Sequence, residues 1–274
     1  MHTRLYYYSG TGNSLWVARQ LAGRLDGEVS LVPLRADCPL PDTSCERNGL
    51  VFPVHMWGLP RRVVEFAGQF AGQSDGYQFA VALNAGQVSA SLLQLQALLQ
   101  ARGFALQAGF GMLSPSNYIL WNGAEAVDKQ QKLFAEAEQK LDRIATIVRD
   151  RTVLPVERGP WWQRTFLSIA YRFAYPKVAG MDKDFWSDAT CNGCGLCARV
   201  CPAGNIHLES GRPAWQHRCE QCLACIQWCP QQAVQFAQKT AGKQRYHHPA
   251  VSAADMMAST QQTVKTESGG SHFA

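Results

Sequence analysis

The chain has 274 residues, of which 46% are hydrophobic and 17% are charged, a composition typical of a folded globular protein with room for two modest domains. The net charge of +5 is small and Lys and Arg form no consecutive block, so composition gives no indication of nucleic-acid binding. No stretch approaches about eighteen uninterrupted apolar residues and the N-terminus has no secretory pattern, so we expect neither a transmembrane segment nor secretion.

The chain begins with a predicted strand, Arg4–Tyr8, a loop of small and hydroxylated residues, and a predicted helix, Ser14–Leu25. Amides, hydroxyls and a helix N-terminus can together bind an anion. The loop lacks the lysine of a nucleotide P-loop and the third glycine of a dinucleotide fingerprint, and a tight turn without a ligand is the alternative. It resembles the phosphate loop of flavodoxins, which implies phosphate contacts from Ser9, Gly10, Thr11, Gly12, Asn13 and Ser14.

The pattern of apolar residues continues with alternating strands and helices up to residue 150. The further strands are predicted at Glu28–Pro33, Gly49–Pro53, Tyr77–Asn84 and Phe104–Leu113. The further helices are predicted at Arg61–Ala71, Ala90–Arg102 and Ala124–Arg149. Five strands with crossover helices predict an α/β fold with a doubly wound parallel sheet over residues 1–150, whose ligand would lie at the carboxyl ends of the strands.

Distinctive loops follow three of these strands: Pro53–Pro60, Asn84–Gln87 and Ser114–Tyr118. In flavodoxins such loops hold the isoalloxazine, often between aromatic rings. The resemblance therefore implies a ring contact from Trp57 (which could instead pack on a neighbouring side chain), with Tyr118 as a further candidate. It also implies close backbone approach at Gly58, Asn84, Ala85 and Gly86. Unlike the acidic flavin surroundings of flavodoxins, the first two loops contain no carboxylate.

Residues 151–186 form a connecting segment rich in Trp, Phe and Tyr, with Arg164, Arg172 and Lys177 interleaved. We favour a connecting helix whose aromatic residues pack the two domains together. The alternative is a helix that docks on a membrane surface or on a partner.

Two cysteine runs of identical spacing, C-x-x-C-x-x-C-x-x-x-C-P, start 28 residues apart at Cys191 and Cys219. In this bacterial pattern three cysteines of a run wrap one cubane and the fourth ligates the other cluster. The predicted ligands of the first [4Fe–4S] cluster are Cys191, Cys194, Cys197 and Cys229. Those of the second are Cys219, Cys222, Cys225 and Cys201. Zinc is the alternative, but zinc ribbons use pairs of C-x-x-C and not this duplicated run.

Residues 187–238 resemble the two-cluster bacterial ferredoxins over essentially the whole of that small α+β domain. Residues 239–274 form a polar tail, of which we expect the last twenty residues to be disordered and Arg245–His248 to be an ordinary surface stretch. Cys38 and Cys45 lie outside both runs and are expected to be plain thiols.

The motifs together resemble a family in which a flavodoxin-like domain is fused to a C-terminal two-cluster ferredoxin domain, over roughly residues 4–238. The resemblance implies electron transfer through two [4Fe–4S] clusters and FMN, with redox proteins as partners and peripheral membrane contact not favoured. The alternatives are a flavin-dependent reductase of a small molecule and a redox-sensing binding protein with a degenerate flavin site. No constellation of catalytic residues stands out, and the cysteines indicate a reducing compartment, the cytoplasm.

Overall fold

The computed structural model describes residues 1–36, 45–71, 75–258 and 262–265. Its N-terminal region contains five strands: β1 His2–Tyr7, β2 Glu28–Pro33, β3 Arg47–Pro53, β4 Tyr77–Asn84 and β5 Ala108–Leu113. They are parallel and ordered β2-β1-β3-β4-β5. This is the strand order of flavodoxin-like folds, so the predicted fold class is confirmed.

Helices α1 Asn13–Ala22, α2 Arg61–Gly68 and α3 Ser91–Gln100 connect strands of this sheet, and α4 Val127–Arg149 follows β5. One buried cluster lies between the sheet and α1 and α4, and a second lies on the face that α2 and α3 cover. The predicted elements are confirmed with shifted ends. The largest difference is at β5, because residues 104–107 precede the strand as irregular backbone, although the Gln107 amide donates to the carbonyl of Gln78 in β4.

The tail adds a helix and a strand that the sequence did not predict. A short helix, α8 Ala253–Met257, begins with a capping box between Ser252 and Asp255. A last strand, β10 Gln262–Lys265, pairs antiparallel with β2 and makes the sheet six-stranded. The expectation of disorder for the last twenty residues is therefore wrong for these elements, while residues 259–261 and 266–274 lie outside the described residues.

The connecting segment forms a continuous helical stretch. It consists of a π-helical turn, Gln163–Leu167, the helix α5 Ser168–Val178 and a 3-10 turn, Ala179–Asp184. One side of it packs on the α/β domain, because the Tyr171 hydroxyl donates to the carbonyl of Leu59 at 3.1 Å.

The cysteine runs lie in a small α+β region. Strand β6 Phe185–Ser187 pairs with β9 Val234–Phe236, and β7 Ile206–Glu209 pairs with β8 Arg212–Trp215, both antiparallel. The single-turn helices α6 Leu196–Arg199 and α7 Ala224–Gln227 begin directly after Gly195 and Leu223. Within the described ranges, no helix combines the length and apolarity needed to cross a membrane.

Candidate functional site

Four buried thiols form what we call the inner set: Cys201, Cys219, Cys222 and Cys225, each 9% exposed or less. Burial raises the pKa of Cys222 to about 12, and the charge of Cys201 adds to the increase. Burial also raises the pKa of Cys225, with further contributions from Cys201, Cys219, Cys222 and Cys197. The four sulfurs therefore lie close enough to act on one another, although one comes from the first run and three from the second.

The remaining thiols of the runs form the outer set: Cys191, Cys194, Cys197 and Cys229. All four line one cavity. Burial raises the pKa of Cys197 to about 11, and the charges of Cys229, Cys194 and Cys191 contribute in the same direction. Cys194 is exposed, and Cys191 and Cys229 are partly exposed.

In each set the last thiol of the other run acts on a buried thiol, because the charge of Cys229 contributes to the raised pKa of Cys197 and the charge of Cys201 to that of Cys225. Within the described part of the chain, no group of three or more His, Cys, Asp or Glu is arranged to hold a single metal ion. Four cysteine thiols per set are the donors that a [4Fe–4S] cluster requires, so the residues fit that group. The ligand assignment itself stays a prediction.

The backbone repeats with the cysteines. Gly193 and Gly195 of the first run have φ angles of 71° and 72°, and the residues 28 positions later, Gln221 and Leu223, have 53° and 59°. At one of these left-handed residues the amide points at sulfur, since the Gln221 amide donates to the Cys219 sulfur at 3.2 Å. The loop around the inner set thus keeps the glycine conformation without glycine.

The loops after β1, β3, β4 and β5 meet at a second cavity of about 510 Å³. A volume of this size is in the range of small-molecule and cofactor sites. Of the predicted flavin contacts, Ser9, Gly10, Thr11, Asn13, Ser14, Trp57, Asn84 and Ala85 line it.

The other three predicted contacts, Gly12, Gly58 and Gly86, do not line the cavity. Gly12 begins α1 with a φ of 96° and faces Val251. Gly58 faces the ring of Tyr171, since an added Cβ would lie 2.4 Å from it, so the close approach expected of a flavin edge is made by the connecting helix. Gly86 turns the loop with a φ of 116° and donates its amide to Asn84.

Side chains fix the conformation of the loop after β1 by hydrogen bonds. The Ser9 hydroxyl accepts from the Gly12 amide at 3.1 Å, and Asn117 donates to the Thr11 hydroxyl at 3.2 Å. Asn13 accepts from the Tyr246 hydroxyl at 2.6 Å. The hydroxyls, the glycine turn and the N-terminus of α1 border the cavity together, so the donors fit a phosphate group.

The loop after β3 is a tight reversal in which His55 and Gly58 exchange backbone hydrogen bonds. Met56 and Trp57 occupy its left-handed positions, with φ angles of 48° and 69°. The Trp57 indole donates to Gln87 at 2.7 Å, and its ring lies 6.4 Å from that of Trp121. A strained turn that presents a large ring to a cavity is the kind of strain that proteins retain at binding sites.

Trp121 was missed by the sequence analysis, because residues 114–126 follow β5 without a periodic pattern. The structure brings it to the rim of the cavity, where its side chain is 64% exposed and contacts Tyr118 edge-to-face at 5.2 Å. The signal available in the sequence was a pair of aromatic residues, Tyr118 and Trp121, soon after the end of a strand.

Glu220 and Gln221, from the loop of the inner set, form part of the cavity wall. The Glu220 carboxylate accepts from the amides of Arg61 and Arg62 at 2.9 and 3.0 Å, but burial raises its pKa to about 7. His55 is 4.0 Å from this carboxylate, and burial lowers its pKa to about 4. The loops after β3 and β4 have no carboxylate, as the sequence indicated, yet Glu220 and Glu125 bring two to the cavity.

The loop after β1 packs directly against the loop of the inner set. An added Cβ on Gly10 would lie 2.9 Å from the Cβ and the carbonyl oxygen of Cys222. The Trp228 indole donates to the Gly10 carbonyl at 3.0 Å, and Asn117 donates to the Cys222 carbonyl at 3.0 Å. Nothing in the spacing of the motifs predicted this contact.

Residues 240–257, which we call the strap, pass over the other side of the same loop. The prediction of an ordinary surface stretch at residues 245–248 is wrong, because Tyr246 is 3% and His248 2% exposed. The His248 amide donates to the Thr11 carbonyl at 2.8 Å, and its ring stacks on Trp16 at 4.7 Å. The imidazole of His248 packs in an apolar groove beside α1. The basic residues around it in the sequence do not indicate this burial.

Comparison with known proteins gives a family match in the second region: a 4Fe–4S binding domain matches residues 185–206. No curated protein matches the sequence. Among solved structures, the Trp repressor binding protein from Bacillus subtilis is 10% identical with a TM-score of 0.36, and covers 52% of this chain and 99% of its own. The Streptococcus pneumonia TIGR4 flavodoxin is 12% identical with a TM-score of 0.35, and covers 53% and 99%.

The chain therefore joins a flavodoxin-like fold, given by its strand order, to a 4Fe–4S binding domain. The latter supports a role in electron transfer.

Proposed function

We propose that the protein transfers electrons through two [4Fe–4S] clusters, one in each thiol set, to or from FMN in the 510 Å³ cavity. One observation carries the proposal. Residues 219–222 supply two thiols of the inner set and, through Glu220 and Gln221, part of the cavity wall. A flavin in that cavity would thus be separated from the inner cluster by a single loop.

The chain's own residues have distinct tasks in this proposal. The loop from Ser9 to Ser14 binds the phosphate, and Trp57 with Trp121 orients the ring system at the mouth of the cavity. The inner thiols hold their cluster away from water. When bound, the clusters supply single electrons and FMN accepts one or two, so the pair couples one-electron to two-electron chemistry.

The outer set is the proposed contact point for a redox protein. Cys194 is exposed, whereas every thiol of the inner set is buried. The outer thiols would therefore hold the cluster that a partner reaches first, and the inner thiols would hold the cluster beside the cavity. Ligand thiols in this number require a reducing compartment, so we place the protein in the cytoplasm.

A second candidate function is the reduction of a small molecule at the flavin. It is favoured by the exposed rim of the cavity, where Trp121 is 64% exposed and leaves the mouth open to solvent. A sensing role without flavin is less well supported, because residues of the loop after β1 border the cavity.

The test starts from protein purified without oxygen, in which iron, sulfide and acid-released flavin are measured. We expect about eight irons per chain and about one FMN. Trp57→Ala should weaken FMN binding roughly tenfold, because the ring contact is lost. Trp186→Ala is the matched control, since Trp186 is 40% exposed in β6, which does not border the cavity.

About eight irons without flavin, even after incubation with FMN, would refute the flavoprotein half of the proposal. About four irons would refute the second cluster. Saturable reduction of a small acceptor by the fully loaded protein would favour the reductase, whereas electron exchange only with other redox proteins would favour the carrier.

A further inference from the structure

The outer side of the connecting helix is apolar. Five of its side chains are between 43% and 71% exposed: Trp161, Trp162, Phe166, Ile169 and Phe173. Burying an aromatic side chain is strongly favourable, so a row of exposed ones indicates a surface that another apolar phase covers.

The spacing of these residues makes a single stripe. Positions 162, 166, 169 and 173 differ by four, three and four residues, which places them on one helix face. The opposite side is already occupied, since Gln163 is 6% exposed and Arg61 lies over the Tyr175 ring at 5.6 Å. The helix is thus anchored by its polar and tyrosine side, with its most apolar face turned to solvent.

The charges around the stripe have one sign. Residues 158–181 contain no Asp or Glu, and their four basic residues are Arg158, Arg164, Arg172 and Lys177. Arg172 and Lys177 are exposed next to Phe173. Cations beside an apolar face complement anionic lipid headgroups above acyl chains, and tryptophan is preferred at that boundary.

A second copy of the chain fits this face poorly, because two such stripes in contact would bring Arg172 and Lys177 of one copy toward the same cations of the other, without an acidic partner from the same segments. The geometry points to the connecting helix as an interfacial helix that binds the surface of an anionic membrane. The sequence predicts that the aromatic residues pack the two domains together, whereas Trp162, Phe166 and Phe173 are exposed.

The same helix is joined to the inner thiol set. The Cys219 amide donates to the carbonyl of Ala179 at 3.2 Å, directly after α5. Binding of the helix to lipid would therefore hold the region with the cysteine runs at the membrane surface. This inference does not depend on which cofactors are bound.

The test is co-flotation of the intact, anaerobically purified protein with vesicles. Pure phosphatidylcholine is compared with phosphatidylcholine and phosphatidylglycerol in equal parts. We expect binding to the anionic vesicles only, and weaker binding at high salt. Phe166→Ser with Phe173→Ser should lower partitioning roughly a hundredfold. Arg172→Glu with Lys177→Glu should lower it roughly tenfold or more.

Two controls separate this effect from general changes. Val153→Ser removes a 72% exposed apolar side chain outside the stripe, and Arg143→Glu reverses an exposed cation of α4; both should leave partitioning unchanged. Iron content and circular dichroism verify that each variant is folded.

The inference is overturned if the wild type fails to bind anionic vesicles, or if the double Phe variant binds them as well as the wild type does. It is also overturned if sedimentation shows a dimer that the double Phe variant abolishes, because the face would then be covered by a second copy.

Discussion

The two thiol sets come from runs with the same spacing, yet they occupy different surroundings. Every thiol of the inner set is 9% exposed or less, whereas Cys194 of the outer set is exposed and borders an open cavity. The difference arises from the α/β domain, which packs against the second run through Gly10 and Cys222, whereas Cys191 and Cys194 of the first run stay partly or fully exposed. Runs of identical spacing therefore place their thiols in different surroundings.

The loops also differ in residue type at equivalent positions. The exposed loop uses Gly193 and Gly195 for its left-handed turns, while the buried loop uses Gln221 and Leu223. A left-handed residue other than glycine costs on the order of 1 kcal/mol. The buried loop offsets that cost because Leu223 is 1% exposed in the hydrophobic cluster, and Gln221 lines the 510 Å³ cavity.

Removing one thiol from each set tests the comparison most directly. Cys225→Ala should lower iron from about eight to about four per chain or fewer, and FMN should be lost too, because the loop that borders the cavity loses its support. Cys194→Ala should also leave about four irons but retain FMN. Iron, sulfide and flavin content measure both. Equal flavin loss in the two variants would show that the sets do not differ in this way.

The strap, residues 240–257, packs against the loop after β1, and this contact depends on a neutral His248 side chain. Burial lowers the pKa of His248 from 6.5 to about 4, so the unfolded state binds this proton first as pH falls. The free energy of unfolding that the neutral, buried His248 contributes is fully present above pH 6.5. It is lost as pH falls toward 4, at about 1.4 kcal/mol per pH unit.

Hydrogen exchange in residues 240–257 at pH 7.5 and 5.5 measures this loss. His248→Gln should flatten the pH dependence of unfolding, but only in part, because buried His55 has a pKa shifted in the same direction. An unchanged pH dependence in the variant would contradict the assignment.

Gly10→Ala tests the junction between the α/β domain and the inner loop. The new Cβ would lie 2.9 Å from Cys222, so the loops must separate, at a cost of about 1–3 kcal/mol. Gly68→Ala is the matched control, because an added Cβ there meets nothing within 4 Å and favours the helix. Anaerobic thermal unfolding compares them, and equal stability would mean that the junction is loose.

Arg35 gives the smallest expected effect and the finest test. Its guanidinium is 7% exposed, donates to the carbonyls of Arg199 and Met256 at 3.0 and 3.1 Å, and opposes the rise that burial causes in the pKa of Cys201. A cation beside the inner thiols stabilises the more negative, reduced cluster. Arg35→Met should therefore lower the inner reduction potential by on the order of 50 mV.

Potentiometric titration followed by electron paramagnetic resonance distinguishes the two clusters. Arg35→Lys retains the charge and should keep most of the potential. A shift of the outer cluster, or the same shift with Lys, would assign the effect to folding and not to charge.

Much of this organisation could be predicted from the sequence. The alternating apolar pattern predicted the parallel sheet, because strands with crossover helices have few other arrangements. The cysteine spacing predicts two ligand sets that exchange their fourth thiol, since three ligands in a short loop leave the fourth to the next site, and this assignment stays a prediction. Eight of the eleven predicted flavin contacts line one cavity, because the carboxyl ends of parallel strands share one edge.

What only the tertiary structure decided is how distant segments meet. Strand β10 adds to the sheet because the edge of β2 offers unpaired backbone groups, which no local pattern records. Glu220 and Trp121 reach the cavity from loops without periodicity, and the exposed stripe of the connecting helix depends on which of its faces the α/β domain covers. Local spacing determines ligand sets and elements, whereas burial is a property of the whole packed chain, and burial makes the two cysteine runs different.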